Sequence, residues 1–86
     1  EVEKDITKVD EDHYIAKGSA ELEQLLDILG FEYEDAQTLN GFILDQMGKI
    51  PFVNESIDYE GFNFKVKKAT KKKVIEVEIK KSDASN

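Results

Sequence analysis

Two runs in the last third of the sequence exchange apolar and polar residues at every step. Phe62, Phe64 and Val66 alternate with Asn63, Lys65 and Lys67, and Ile75, Val77 and Ile79 alternate with Glu76, Glu78 and Lys80. A side-chain period of two places each run in a sheet with one buried face, which an all-helical chain cannot provide. If Lys71-Lys72 forms the loop between them, Phe64 meets Ile79 and Val66 meets Val77 on the inner surface. On the outer surface Lys65 then meets Glu78 and Lys67 meets Glu76. A slip of one residue would invert every side chain, so the register is strongly specified. It turns Lys68 inward near the strand end, from where its ammonium must snorkel out. Just upstream, Ile57 and Tyr59 alternate with Asp58 and Glu60, and Glu60-Gly61 makes a tight turn into the following strand.

The middle of the chain has a different period. Leu22, Leu25, Leu26 and Leu29 are spaced for one face of a helix. Ser19 is the expected N-cap, Glu21 and Glu23 favour the positive end of the dipole, and Gly30 supplies the left-handed stop. A second helix is expected to start at Thr38 as its cap and to end at Gly48, with Pro51 forbidding continuation. Leu39, Phe42, Ile43, Leu44 and Met47 cover more than half its circumference, so it is buried on several sides. Gly41 inside it costs ~1 kcal/mol against alanine and suggests close backbone packing there. Near the N-terminus, DITKV and YIAKG read as two short strands around the acidic turn Asp10-Glu11-Asp12, the second ended by Gly18. The expected architecture is therefore α+β, a small antiparallel β-sheet packed with two helices in the order β-β-α-α-β-β-β. Residues 5–81 form the domain, with a linker or frayed start at 1–4 and a disordered tail at 82–86.

Composition narrows the function. Eighty-six residues allow one domain, and cysteine is absent, which excludes disulfides, thiolate metal sites and cysteine catalysis. The net charge is −7, but residues 1–60 carry 16 acids and 4 lysines, whereas residues 61–86 carry 3 acids and 8 lysines. An acidic whole argues against general nucleic-acid binding and against broad adhesion to anionic lipid. Only the lysine-rich stretch Lys65 to Lys73 offers a local contact for nucleic acid or an anionic membrane, and the favoured reading of these lysines is a strand edge and hairpin tip that deter edge-to-edge aggregation.

Three constellations could carry chemistry. Asp10, Asp12 and His13 have the donors for a divalent ion, yet calcium wants ~6–8 oxygen ligands, and zinc wants ~3–4 nitrogen, sulfur or oxygen ligands with only one histidine available. A solvated hairpin turn is the favoured reading. Glu32, Glu34 and Asp35 could supply paired carboxylates, but no apolar pocket nearby in sequence separates their acidities. Ser19, Ser56 and Thr38 are better explained as caps or turns than as nucleophiles, and no hydrolase, zincin or P-loop motif is present. No catalytic residue and no cofactor is assigned.

The segments YIAKGS, TLNGFILDQMGKIP, ESIDYEGFNFKV and KKVIEVEIKK, in that order, resemble the transporter-associated domain of CorC- and HlyC-type proteins over about residues 5–80. Thr38, Gly41, Gly48 and Pro51 carry the most telling part of the pattern, with Gly18 and Gly61 in the family's glycine positions. Asn54 departs from the usual glycine, though asparagine tolerates the left-handed conformation. The lysine tip Lys71-Lys72-Lys73 departs from a commoner Gly or Asp turn. The resemblance implies a fold like that of the FAD-binding and transporter-associated domains, with those six residues in structural roles. It further implies a bacterial parent protein, with this module as a cytoplasmic domain alongside a CBS pair and a membrane domain. The implied function is a non-catalytic accessory role in magnesium or cobalt efflux, in a family that includes hemolysin-like members. Apart from the resemblance, a second copy of the chain is a candidate partner, and nucleic acid is not expected on the charge balance. The alternative is a sensor of an adenine nucleotide, a flavin-like ligand or a divalent ion.

Overall fold

The computed structural model describes residues 5–82; the start at 1–4 and most of the tail, 83–86, lie outside the described residues. The elements are β1 (Ile6–Asp10), β2 (His13–Lys17), α1 (Leu22–Leu29), α2 (Leu39–Met47), β3 (Ser56–Tyr59), β4 (Phe62–Ala69) and β5 (Val74–Lys81). All strands join one antiparallel sheet in the order β1-β2-β5-β4-β3. The last strand therefore lies at the centre, between the two hairpins. The expected α+β architecture and element order are those observed.

Both helices contribute to a single core with the inner face of the sheet. Leu22, Leu25 and Leu26 of α1 and Leu39, Phe42 and Ile43 of α2 pack with Ala16, Phe64, Val66, Val74, Val77 and Ile79. Full burial of one such side chain contributes about 1.5–3 kcal/mol. Aromatic rings tie the α1–α2 loop and β3 to this core. Phe42 lies edge-on to Tyr33 at 4.9 Å and to Tyr59 at 5.2 Å, and its centroid is 5.2 Å from Phe64.

The N-termini of the two helices are joined to each other. Glu21 and Thr38 form an isolated antiparallel bridge, in which Leu22 N–H donates to Gln37 O at 2.9 Å and Leu39 N–H donates to Ala20 O at 3.0 Å. Ser19 is therefore not the N-cap of α1. The chain turns at Gly18-Ser19-Ala20, the cap position falls on Glu21 without a side-chain bond, and a main-chain carbonyl takes the first orphan amide. Thr38 does cap α2, its hydroxyl accepting from Gly41 N–H at 3.1 Å. Asn40 N–H donates to Gly18 O and Phe42 N–H to Thr38 O, which completes the first turn. Gly30 and Gly48 end the helices at φ 95° and 72°.

The close backbone approach expected at Gly41 lies elsewhere. A Cβ on Gly41 would make ordinary contacts at 3.4 Å or more, whereas one on Gly18 would stand 2.0 Å from the carbonyl oxygen of Val74.

The β4–β5 register holds for Phe64 with Ile79, Lys65 with Glu78 and Val66 with Val77, then departs. A bulge makes Lys67 the extra residue, so Lys68 and not Lys67 faces Glu76. That turns Lys68 outward, its side chain 71% exposed and its ammonium 3.6 Å from Glu76. No snorkelling is needed. A compensating irregularity follows on β5, where Ala69 pairs with Val74 and Ile75 is left over. Val74 consequently fills the core position expected of Ile75, and Ile75 O is free to accept Gly18 N–H at 2.8 Å.

The remaining turns follow the expected chemistry. Glu60 and Gly61 have φ of 51° and 83°, the primed turn that suits a two-residue hairpin, and Asn54 has φ 79°.

Candidate functional site

The acidic turn is built by the β1–β2 hairpin. Asp12 takes φ 59°, Asp10 Oδ1 accepts from Glu11 N–H at 2.8 Å, and Asp12 O accepts from Lys81 N–H at 2.9 Å. Asp10, Asp12 and His13 come together along one open cleft of about 690 Å³, but Lys80 and Lys81 line it too. Two ammonium side chains on the same rim oppose a cation electrostatically.

His13 is directed to a different partner. Its Nε2 lies 2.5 Å from Glu78 Oε2 on the outer face of the sheet, and Lys67 approaches Glu78 at 3.8 Å. Both the imidazole and the carboxylate are mostly buried, at 21% and 17% side-chain exposure. Burial pushes the Glu78 carboxyl up, and the bond from His13 with the charges of Lys67, His13 and Lys80 outweighs it, leaving the group below its ordinary value. Among the described residues no three His, Asp or Glu side chains converge as a metal site.

The second acidic feature is a groove beside α1. Glu21, Glu23, Asp27, Glu32 and Glu34 rim it, with Leu26, Phe31 and Ala36 beneath. Glu32, Glu34 and Asp35 are all exposed, so no apolar environment sets one apart as an acid. Tyr33 hydrogen-bonds Asp45, and this bond, together with desolvation, raises its hydroxyl above the ordinary value even though a bond from Gln46 opposes the shift. Ser19 lies in the turn before α1 and Thr38 is spent on capping. Ser56 stands at the exposed start of β3.

Residues the sequence reading passed over include Asn40, whose Oδ1 accepts from Val74 N–H at 2.7 Å and pins α2 to the irregular start of β5. They also include the loop after Pro51. Phe52 is 76% and Val53 48% exposed, while Glu55 accepts from Phe52 N–H at 2.9 Å and from Lys49 at 2.8 Å. Those two bonds hold the Glu55 carboxyl below its usual value. Two adjacent apolar residues after a proline were the available signal, but sequence alone does not say that they face outward.

Comparison with known proteins agrees with this architecture. The family of the transporter associated domain, CorC_HlyC, matches residues 7–83. The magnesium and cobalt efflux protein CorC of Salmonella typhimurium is 32% identical over 68 residues, which are 77% of this chain and 23% of that protein. The chain thus spans about a quarter of that relative's length.

Among solved structures, the Mg2+ and Co2+ transporter (CorC) associated region of Neisseria meningitidis MC58 superposes with TM-score 0.85 at 21% identity. It covers 91% of this chain and 99% of its own. The CorC_HlyC domain of a Xylella fastidiosa hemolysin, in complex with Mg++ and Mn++, gives 0.82 at 20%, covering 93% and 100%. The transporter associated domain of a CBS domain protein from Porphyromonas gingivalis gives 0.76 at 22%, again covering 93% and 100%. No helix among the described residues is long and apolar enough to cross a membrane. The match over residues 7–83, most of the chain, establishes that it belongs to the CorC_HlyC transporter-associated domain family.

Proposed function

We propose that the chain is a non-catalytic accessory module that regulates divalent-cation transport by a larger bacterial membrane protein. The observation that carries this reading is its likeness to a magnesium and cobalt efflux protein of which the aligned segment is 23%. Its partners would be the rest of such a parent chain, a membrane domain and a CBS pair, on the cytoplasmic side. The CBS context of the Porphyromonas relative supports that arrangement. Gly18, Thr38, Gly41, Gly48, Pro51 and Gly61 then act as scaffold. Gly18 admits the β5 backbone, Thr38 caps, and Gly48 and Gly61 take positive φ. The test is deletion of residues 5–82 from the parent gene, read out as cobalt tolerance and cobalt efflux of the host. Altered efflux with normal levels of the truncated protein is expected, and unchanged efflux overturns the reading.

The magnesium and manganese bound by the Xylella relative favour a second reading, direct sensing of a divalent ion. The exposed carboxylates of Asp10 and Asp12 are its candidate donors in this chain, since His13 Nε2 is taken by Glu78. Calorimetry with Mg2+, Mn2+ and an adenine nucleotide separates the two. Saturable heat lost in Asp10→Asn would put sensing first, and no heat at millimolar ligand removes it.

A further inference from the structure

The least expected surface is the exposed pair Phe52 and Val53, since a phenylalanine left 76% accessible forgoes most of its burial energy. The pair is not on a loose loop. Glu55 accepts from the Phe52 amide and from the Lys49 ammonium, Glu55 N–H donates back to Phe52 O at 3.1 Å, and Asn54 sits at φ 79°. Asn54 N–H donates to Val66 O at 2.7 Å and Val66 N–H to Glu55 O at 2.8 Å, which fixes this knuckle to the edge of β4. A docking element whose backbone is already held in one conformation loses less ordering entropy when it binds. The Lys49 ammonium already lies over the Phe52 ring, 5.3 Å from its centroid.

The knuckle adjoins the basic end of the molecule. From Lys65 to Lys73 the chain carries six lysines and no acid. Lys67 follows the Val66 that anchors the knuckle, and the loop beyond lies about 13 Å further at the strand rise of ~3.3 Å per residue. Lys71, Lys72 and Lys73 are all exposed, and none meets a carboxylate among the described residues. Thr70 holds this loop, its hydroxyl accepting from Lys72 N–H and Lys73 N–H at 3.1 Å.

We propose that this end docks peripherally onto an anionic lipid surface, the lysines facing the headgroups and Phe52 with Val53 entering the interface. Charge complementarity selects an anionic occupant, and the apolar pair selects a bilayer. Each lysine near an anionic leaflet multiplies affinity about fivefold.

The test is co-sedimentation of the 86-residue chain with phosphatidylcholine vesicles, with and without phosphatidylglycerol, at low and high salt. Binding is expected only with phosphatidylglycerol, and it weakens as salt rises. The triple change Lys71→Gln, Lys72→Gln, Lys73→Gln should weaken it at least tenfold, and Phe52→Ala several-fold. All these side chains are exposed, so circular dichroism of the variants should stay that of the parent. Failure to bind phosphatidylglycerol vesicles overturns the proposal, as does equal binding to neutral vesicles or unchanged binding by both variants. Tighter binding to single-stranded oligonucleotides than to vesicles under the same salt assigns the lysines to nucleic acid and overturns it as well.

Discussion

Gly18→Ala is the substitution with the largest consequence for its size. One methyl group would be placed 2.0 Å from Val74 O and 2.9 Å from Val74 C, both backbone atoms of the central strand. No rotamer relieves that contact, so β2 and β5 must separate by more than 1 Å, the shortfall from ordinary ~3.5 Å packing. Three hydrogen bonds converge there: Gly18 N–H to Ile75 O at 2.8 Å, Asn40 N–H to Gly18 O at 2.8 Å, and Val74 N–H to Asn40 Oδ1 at 2.7 Å. At a net ~1 kcal/mol each, with ~1–3 kcal/mol for overpacking, the expected loss is about 4–6 kcal/mol. That is a large share of the ~4–13 kcal/mol available to a domain of this length.

Thermal and urea unfolding followed by circular dichroism measure it. A fall in Tm of at least ~15 °C is expected, at ~4–8 °C per kcal/mol. Gly41→Ala is the control, because its Cβ meets only ordinary contacts and helix propensity favours alanine by ~0.5–1 kcal/mol. It should leave Tm unchanged or raise it by a few degrees. A Gly18→Ala domain within about 1 kcal/mol of the parent, or a Gly41→Ala domain equally damaged, would refute the assignment of the close approach to Gly18.

Asn40→Ala should cost about 1–3 kcal/mol in urea unfolding, because Val74 N–H loses its acceptor at a part-buried site. Glu60→Asn should stabilise by about 0.5–1 kcal/mol, since asparagine accepts the φ of 51° that glutamate holds under strain; an unchanged midpoint would argue against strain there. Glu78 is below its ordinary value of 4.5 when folded, so its contribution is complete above that pH and disappears as pH falls through the lower folded value. Unfolding measured against pH should therefore show a shallower acid slope for Glu78→Gln, and an identical slope would count against the His13–Glu78 pairing.

Much of the fold was legible because local chemistry and long-range packing agree in it. The leucine spacing of α1, the Thr38 cap, the stops at Gly30 and Gly48, and the turn at Glu60-Gly61 each depend on a few neighbouring residues. The pairing of Phe64 with Ile79 and Val66 with Val77 followed from alternation. What escaped depends on distant partners. Ser19 has the chemistry of a cap, but Leu22 N–H finds Gln37 O across the bridge between helix starts. Glycine at 18 and glycine at 41 read alike until the neighbouring backbone is known. The bulge at Lys67 has no side-chain signature, although the awkward inward lysine it relieves was a trace of it. At the candidate site, the turn at Asp10 to Asp12 was readable, while the partner of His13 lies 65 positions away.

The central position of β5 also bears on synthesis. The β1–β2 hairpin is complete by Lys17, yet the inner neighbour of β2 begins only at Val74. At ~5–20 residues per second, ribosomal translation leaves the hairpin without that neighbour for roughly 3–11 s. Its inner edge stays open to pairing with other nascent chains throughout. Only when β5 emerges can the two halves of the sheet join, so this domain assembles from its last strand outward.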